Sequence, residues 1–107
     1  RARLQHILEA LDYVDEFLVG KNSNDLVENA QLRFAIERQL EIIGEASNYL
    51  SDNIKNENPQ IEWRKIVSFR NFLAHEYFGV DLELIWGITQ NNLGELRITV
   101  ESILKNS

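Results

Sequence analysis

The chain contains no cysteine. That excludes disulfides, thiolate metal sites and a cysteine nucleophile, and it fits a reducing compartment, so a cytoplasmic location is expected. No apolar run approaches the roughly 20 residues that a membrane span needs. No signal-peptide pattern is present, and a start at Arg1 rather than Met reads as a trimmed N-terminus. Positive charge is scarce: 11 Lys and Arg face 17 Asp and Glu, a formal net charge of -6. This argues against a protein that coats nucleic acid through a basic face. It leaves open an enzyme that grips one phosphodiester through a local cationic site. Strand patterns, repeats, low-complexity tracts and a Gly-rich phosphate loop are all missing, and Pro59 is the only proline.

What remains is helical periodicity in a chain of 107 residues that is 44% hydrophobic. The length fits a single domain over residues 1–107, and a domain this short gains by burying more surface in an oligomer. A first helix carries Leu4, Ile7, Leu8, Leu11, Val14 and Leu18 and stops near Gly20. Polar turn residues 21–25 follow. A second helix is predicted from about Asp25 to about Asp52, with one stripe of Leu32, Ile36, Leu40, Ile43, Ser47 and Leu50. A second, offset stripe holds Ala35, Ile42, Ala46 and Tyr49, as expected of a helix buried on more than one side. Gly44 in mid-helix costs about 1 kcal/mol against Ala and suggests close helix–helix approach. Residues Asn53 to Gln60 read as a loop broken at Asn58-Pro59. A third helix begins near Ile61 and ends by Gly79; Asp81 then caps a fourth with Leu82, Ile85, Leu93, Leu96, Val100 and Ile103. The expected architecture is all-α, a four-helix up-down bundle.

The third helix breaks the bundle's rule at one position. Its core-facing stripe reads Trp63, Ile66, Val67, Arg70, Leu73, Ala74, Tyr77. A guanidinium in an apolar stripe keeps its charge, so it must be paired or must face a cavity or a partner chain. A carboxylate of the second helix (Glu37, Glu41 or Glu45) could pair with it. His75 by itself would suit the helix dipole near a C-terminus, and His6 reads as a surface residue. Arg70 and His75 lie roughly 140° apart on an ideal helix. They can act together only if the helix bends or ends there, or if a second copy supplies a partner. Asn71 and His75, at i and i+4, do share a face. Metal ligation is a poor competitor, because His75-Glu76 lacks a second histidine at i+4 and no acidic cluster stands nearby.

The run Arg70-Asn71-Phe72-Leu73-Ala74-His75-Glu76-Tyr77 resembles the R-x4–6-H signature of HEPN ribonucleases, and its His-x-Tyr extension resembles the HepT toxin branch. Further similar stretches are Ala35 to Ala46, Trp63 to Val67 and Tyr77 to Asp81, so the resemblance covers nearly the whole chain. It implies a helical homodimer whose two motifs line one cleft. The implied activity is a metal-independent endoribonuclease, without a cofactor, acting as the toxin of a type VII-like toxin–antitoxin system. It also implies a partner, a nucleotidyltransferase antitoxin of the MntA type, which silences the toxin by AMPylation of Tyr77. The expected substrate is tRNA or mRNA.

These residue types suit that chemistry. RNA brings its own nucleophile, the 2′-hydroxyl, so the enzyme needs a proton acceptor, a proton donor and positive charge on the phosphorane. His75 fits the proton roles because its ordinary pKa lies near neutrality. Arg70 fits the third as a permanent fork matching phosphate oxygens. Asn71 could orient His75 or contact phosphate. The alternative reading is a non-catalytic HEPN-type module that binds a nucleotide or a nucleotidyltransferase; a plain bundle with a buried Arg70 ion pair is the third.

Overall fold

The computed structural model describes the backbone of residues 1–74 and 82–106 and the side chains of residues 1–69 and 82–106. Seven helices form among the described residues, and no strand does. They are α1 (Ala2–Leu18), α2 (Ser23–Glu28), α3 (Ala30–Asn48), α4 (Asp52–Glu57), α5 (Trp63–Ala74), α6 (Leu82–Asn91) and α7 (Leu93–Lys105).

Each break has a local cause. Beyond α1, Gly20 adopts a left-handed φ of 72°, which a residue with a side chain resists, so the helix stops where the sequence suggests. The expected second helix is in fact two. Asn29 is extended (φ −117°, ψ 99°), ending α2, and its side chain accepts a 3.0 Å bond from Leu32 N–H to start α3. Upstream, Asn22 and Asp25 cap α2 reciprocally. The expected loop over 53–60 holds a helix instead: Ser51 Oγ accepts from Ile54 N–H at 3.2 Å and opens α4. Asn58 Nδ2 donates to the carbonyl of Ile54 at 2.8 Å and closes it. The expected fourth helix divides at Asn92 into α6 and α7. The proposed cap at Asp81 and the end of the third helix near Gly79 lie outside the described residues.

The core is built from the faces that the periodicity marks. α1 packs on α3 and α7, α3 also on α5 and α2, and α6 on α7 and α2. The first stripe of α3 is fully used: Leu32, Ile36, Leu40, Ile43 and Ser47 are buried, with Leu50 just beyond the helix. Each large aliphatic side chain sealed this way contributes about 1.5–3 kcal/mol. Ser47 Oγ sits in this core with no hydrogen-bond partner among the described residues. The second stripe is only partly covered. Ala46 is buried and Ala35 and Ile42 are half-buried, whereas Tyr49 is exposed with the Arg3 guanidinium 4.4 Å over its ring. At the surface, Arg97 of α7 bonds Asp12 and Asp15 of α1 at 2.8 Å each. Burial pulls the Arg97 pKa down, and the two carboxylates more than restore it.

α1 and α3 run in opposite directions, with Arg3 beside Tyr49 at one end. An open groove of about 420 Å³ marks the same end, lined by Arg1, Leu4, Ile54, Glu57, Asn58 and the last turns of α7. Trp63 Nε1 donates to the carbonyl of Asn58 at 3.0 Å, so α5 starts there too. From that point α5 runs back along α3.

Candidate active site

α5 is the element that carries the singled-out motif. It buries Trp63, Ile66 and Phe69 against the core and half-buries Val67. Phe69 is absent from the stripe read off the sequence, which therefore sits partly to one side of the true core face. Arg70 and Asn71 belong to the final described turn of α5 by their backbone. His75 and Tyr77 lie outside the described residues, as do the side chains of Arg70, Asn71, Leu73 and Ala74.

The helix beneath supplies the acidic groups offered as partners for Arg70, and the structure separates them. Glu45 is exposed, on the flank that borders α1, where it lines a cleft with Arg3, His6, Ile42 and Ala46. An adjoining cleft holds His6 with Glu9, Tyr13 and Gln39, so His6 is the surface residue expected of it. Glu41 is half-buried and forms a loose 3.6 Å pair with Arg38. Glu37 is half-buried as well. Burial pushes its carboxyl above the usual range; Arg33 opposes this and the neighbouring Glu41 reinforces it. The sequence reading treated the three glutamates as equals, because spacing alone does not reveal which flank of α3 meets α5. On the flank of Glu37, Gly44 is buried and Arg33 half-buried. No group of three or more His, Asp or Glu that could hold a metal occurs among the described residues.

A profile of the HepT-like ribonucleases matches residues 7–103, which include the whole of the Arg70–Tyr77 run. The chain belongs to the HepT-like ribonuclease family. Relatives of similar size agree. A candidate RNase of Methanocaldococcus jannaschii is 37% identical over 103 residues, covering 96% of this chain and 94% of the relative. A candidate ribonuclease HepT of Thermococcus cleftensis is 34% identical over 95% of this chain and 93% of its own. A candidate RNase of Caldanaerobacter subterraneus subsp. tengcongensis is 35% identical over 98% and 94%. No solved structure matches the chain. Membership in the HepT-like family agrees with the all-helical fold of the described residues. None of the described helices is long and apolar enough to cross a membrane.

Proposed function

We propose that this chain is a metal-independent endoribonuclease of the toxin type, acting as a homodimer in which two copies of the Arg70–His75 motif line one cleft. The observation that carries the reading is an unbroken Arg-Asn-x3-His-x-Tyr run inside a chain that belongs to a ribonuclease family along residues 7–103. In this mechanism one His75 imidazole takes the proton from the RNA 2′-hydroxyl as its oxygen attacks the adjacent phosphorus. Arg70 holds the charge that builds on the non-bridging oxygens. The His75 of the second copy gives a proton to the departing 5′-oxygen. The P–O5′ bond breaks, leaving a 2′,3′-cyclic phosphate on one fragment and a 5′-hydroxyl on the other. Asn71, one helical turn before His75, orients the imidazole or contacts phosphate. The acidic average charge is compatible with this, since one scissile phosphate calls for a local cationic cluster rather than a basic face.

Control of the enzyme is assigned to Tyr77. A nucleotidyltransferase antitoxin would join AMP to its hydroxyl, adding a bulky nucleotide and a phosphodiester charge. That phosphate can pair with Arg70 and occupy the place of the RNA phosphate. Co-expression with the nucleotidyltransferase encoded beside this protein, followed by intact mass, tests the assignment. A gain of whole AMP units that disappears in Tyr77→Phe, with growth restored, is expected. Full protection of cells against a still-toxic Tyr77→Phe variant would show that inhibition runs through binding alone. The ribonuclease reading itself is tested by cleavage of total RNA in EDTA, set against His75→Ala.

A further inference from the structure

Two clefts open side by side along the seam where α1 and α3 run antiparallel, and the mechanism above gives them no task. They share His6 and Ile42, and their volumes are about 150 and 260 Å³. Joined, they reach the size class of small-molecule sites, about 300–1,000 Å³. Helical spacing builds the seam. Arg3, His6, Ala10 and Tyr13 step along one face of α1, and Gln39, Ile42, Ala46 and Tyr49 step along one face of α3. Ala10 and Ala46 are buried and Ile42 is half-buried, so the floor is apolar and its side chains are small. The second stripe of α3, which spacing alone would send into the core, thus contributes to the floor of an open groove.

The polar side chains around this floor are unengaged. No hydrogen bond or ion pair ends on the side chains of Arg3, His6, Glu9, Gln39 or Glu45 among the described residues. Elsewhere on the surface opposite charges do meet, Arg97 with Asp12 and Asp15, and Arg38 with Glu41. Arg3 is held by a ring instead. Its guanidinium lies 4.4 Å over Tyr49, a contact that leaves its N–H donors available. In the other cleft Tyr13 stacks on Phe17, with centroids 5.7 Å and planes 23° apart. That contact sets the plane of the Tyr13 ring while half of the residue stays in solvent. One cleft therefore offers a guanidinium and an imidazole, and the next a fixed ring beside a carboxylate and an amide.

We propose that this seam is a nucleotide-binding subsite, separate from the Arg70–His75 motif, that takes a guanosine 5′-nucleotide carried in a single strand of RNA. Arg3 and His6 hold the phosphate. Tyr13 stacks on the base, as aromatic side chains do on unpaired nucleotides. Glu9 and Gln39 supply the selection. One carboxylate accepts from both N1–H and N2–H of guanine, and the Gln39 amide donates to O6; adenine, cytosine and uracil each present a single donor group on that edge. Glu45 accepts from the ribose 2′-hydroxyl, the group that separates RNA from DNA. The acidic residues of the seam, which would repel a bare phosphate backbone, are thereby turned to the base and the ribose, where the donors are. α3 backs both this seam and α5, the helix that carries the backbone of Arg70 and Asn71. The subsite's part in RNA binding rests on the ribonuclease reading; its nucleotide chemistry does not.

The test is a nuclear magnetic resonance titration of the full chain with GMP, dGMP, AMP and inorganic phosphate. Wild type is compared with Arg3→Ala, Glu9→Gln and Tyr13→Ala, all at exposed positions, so each variant should keep the wild-type spectrum away from the seam. GMP is expected to shift the backbone amides of His6, Tyr13 and Ile42 saturably. Tyr13→Ala should raise its Kd by about fivefold to a hundredfold, the loss of one stacked base. AMP and dGMP should bind wild type about tenfold more weakly than GMP, and Glu9→Gln should remove the preference over AMP. With total RNA in EDTA, Tyr13→Ala should raise KM by the same factor as Kd, with kcat within about twofold. No shift along the seam at millimolar GMP overturns the proposal. So does inorganic phosphate that reproduces the GMP pattern, or AMP that matches GMP in affinity. Seam binding of GMP by a wild type that leaves RNA intact upholds the nucleotide site, as one for free nucleotide, and sinks the ribonuclease reading. Cleavage of RNA without any shift along the seam does the reverse.

Discussion

At the scale of single residues, this chain places charge where a small helical domain ordinarily places leucine. Arg70 sits in the register of Trp63, Ile66 and Val67, and Glu37 sits on the covered flank of α3. The two glutamates of that flank, Glu37 and Glu41, stand one turn apart with like charge, so burial and repulsion act on Glu37 in the same direction. The sign of the consequence can be worked out. The folded-state pKa of Glu37 lies above its ordinary value of 4.5. The protonated carboxyl therefore suits the fold better than the carboxylate, and its contribution is fully present below the ordinary value. It is lost as the pH rises through the raised one. Melts of wild type and Glu37→Gln from pH 4 to pH 7 isolate this group from the other carboxylates. Wild type should lose ground to the variant as pH rises; a constant difference would mean that Glu37 titrates as a free side chain.

At the scale of elements, short polar residues decide where helices begin and end. Asn29 closes α2 and opens α3 at the same point, through its extended backbone and its bond to Leu32 N–H. Asn29→Ala removes that cap and is expected to cost about 1 kcal/mol, read as a lower urea midpoint with an unchanged m-value. A variant as stable as wild type would show that packing of Leu26 and Leu32 alone sets the corner. Such junctions explain what was legible in the sequence. The apolar stripes of α1, α3 and α7 were readable because burial of Ile7, Ile36, Leu40 and Leu96 follows helical spacing directly. The breaks at Asn29 and Asn92, and the helix opened by Ser51, were not. Asn and Ser serve helix ends and loops alike, and their choice depends on a single side-chain bond. Phe69 escaped the third stripe because α5 turns its core face towards Ile66 and Phe69, a rotation that only packing against α3 fixes. For the site, the sequence marked Arg70, Asn71, His75 and Tyr77 and offered three glutamates. Their unequal burial follows from which flank of α3 borders α1, which spacing alone does not reveal.

At the scale of the whole molecule, a single chain leaves several large apolar side chains in solvent. Phe34, Tyr49, Tyr13 and Ile98 are each at least half exposed. An arginine, an asparagine and a histidine from one copy also fall short of the base, acid and charge clamp that phosphodiester cleavage asks for. Both facts favour the proposed dimer, with the face of Arg70, Leu73, Ala74 and Tyr77 at its interface. Light scattering at micromolar concentration should report twice the 12.5 kDa chain mass. A monomer would leave each motif without its second histidine and would count against the two-copy mechanism. The central claim is catalytic, and one measurement reaches it most directly: purified wild type, Arg70→Ala and His75→Ala are incubated with total RNA in EDTA, and fragment ends are analysed. Wild type should yield 2′,3′-cyclic phosphate and 5′-hydroxyl ends, and each folded variant should be slower by a factor of about 10² to 10⁴. Intact RNA with folded, dimeric wild type, or equal cleavage by His75→Ala, would contradict the account.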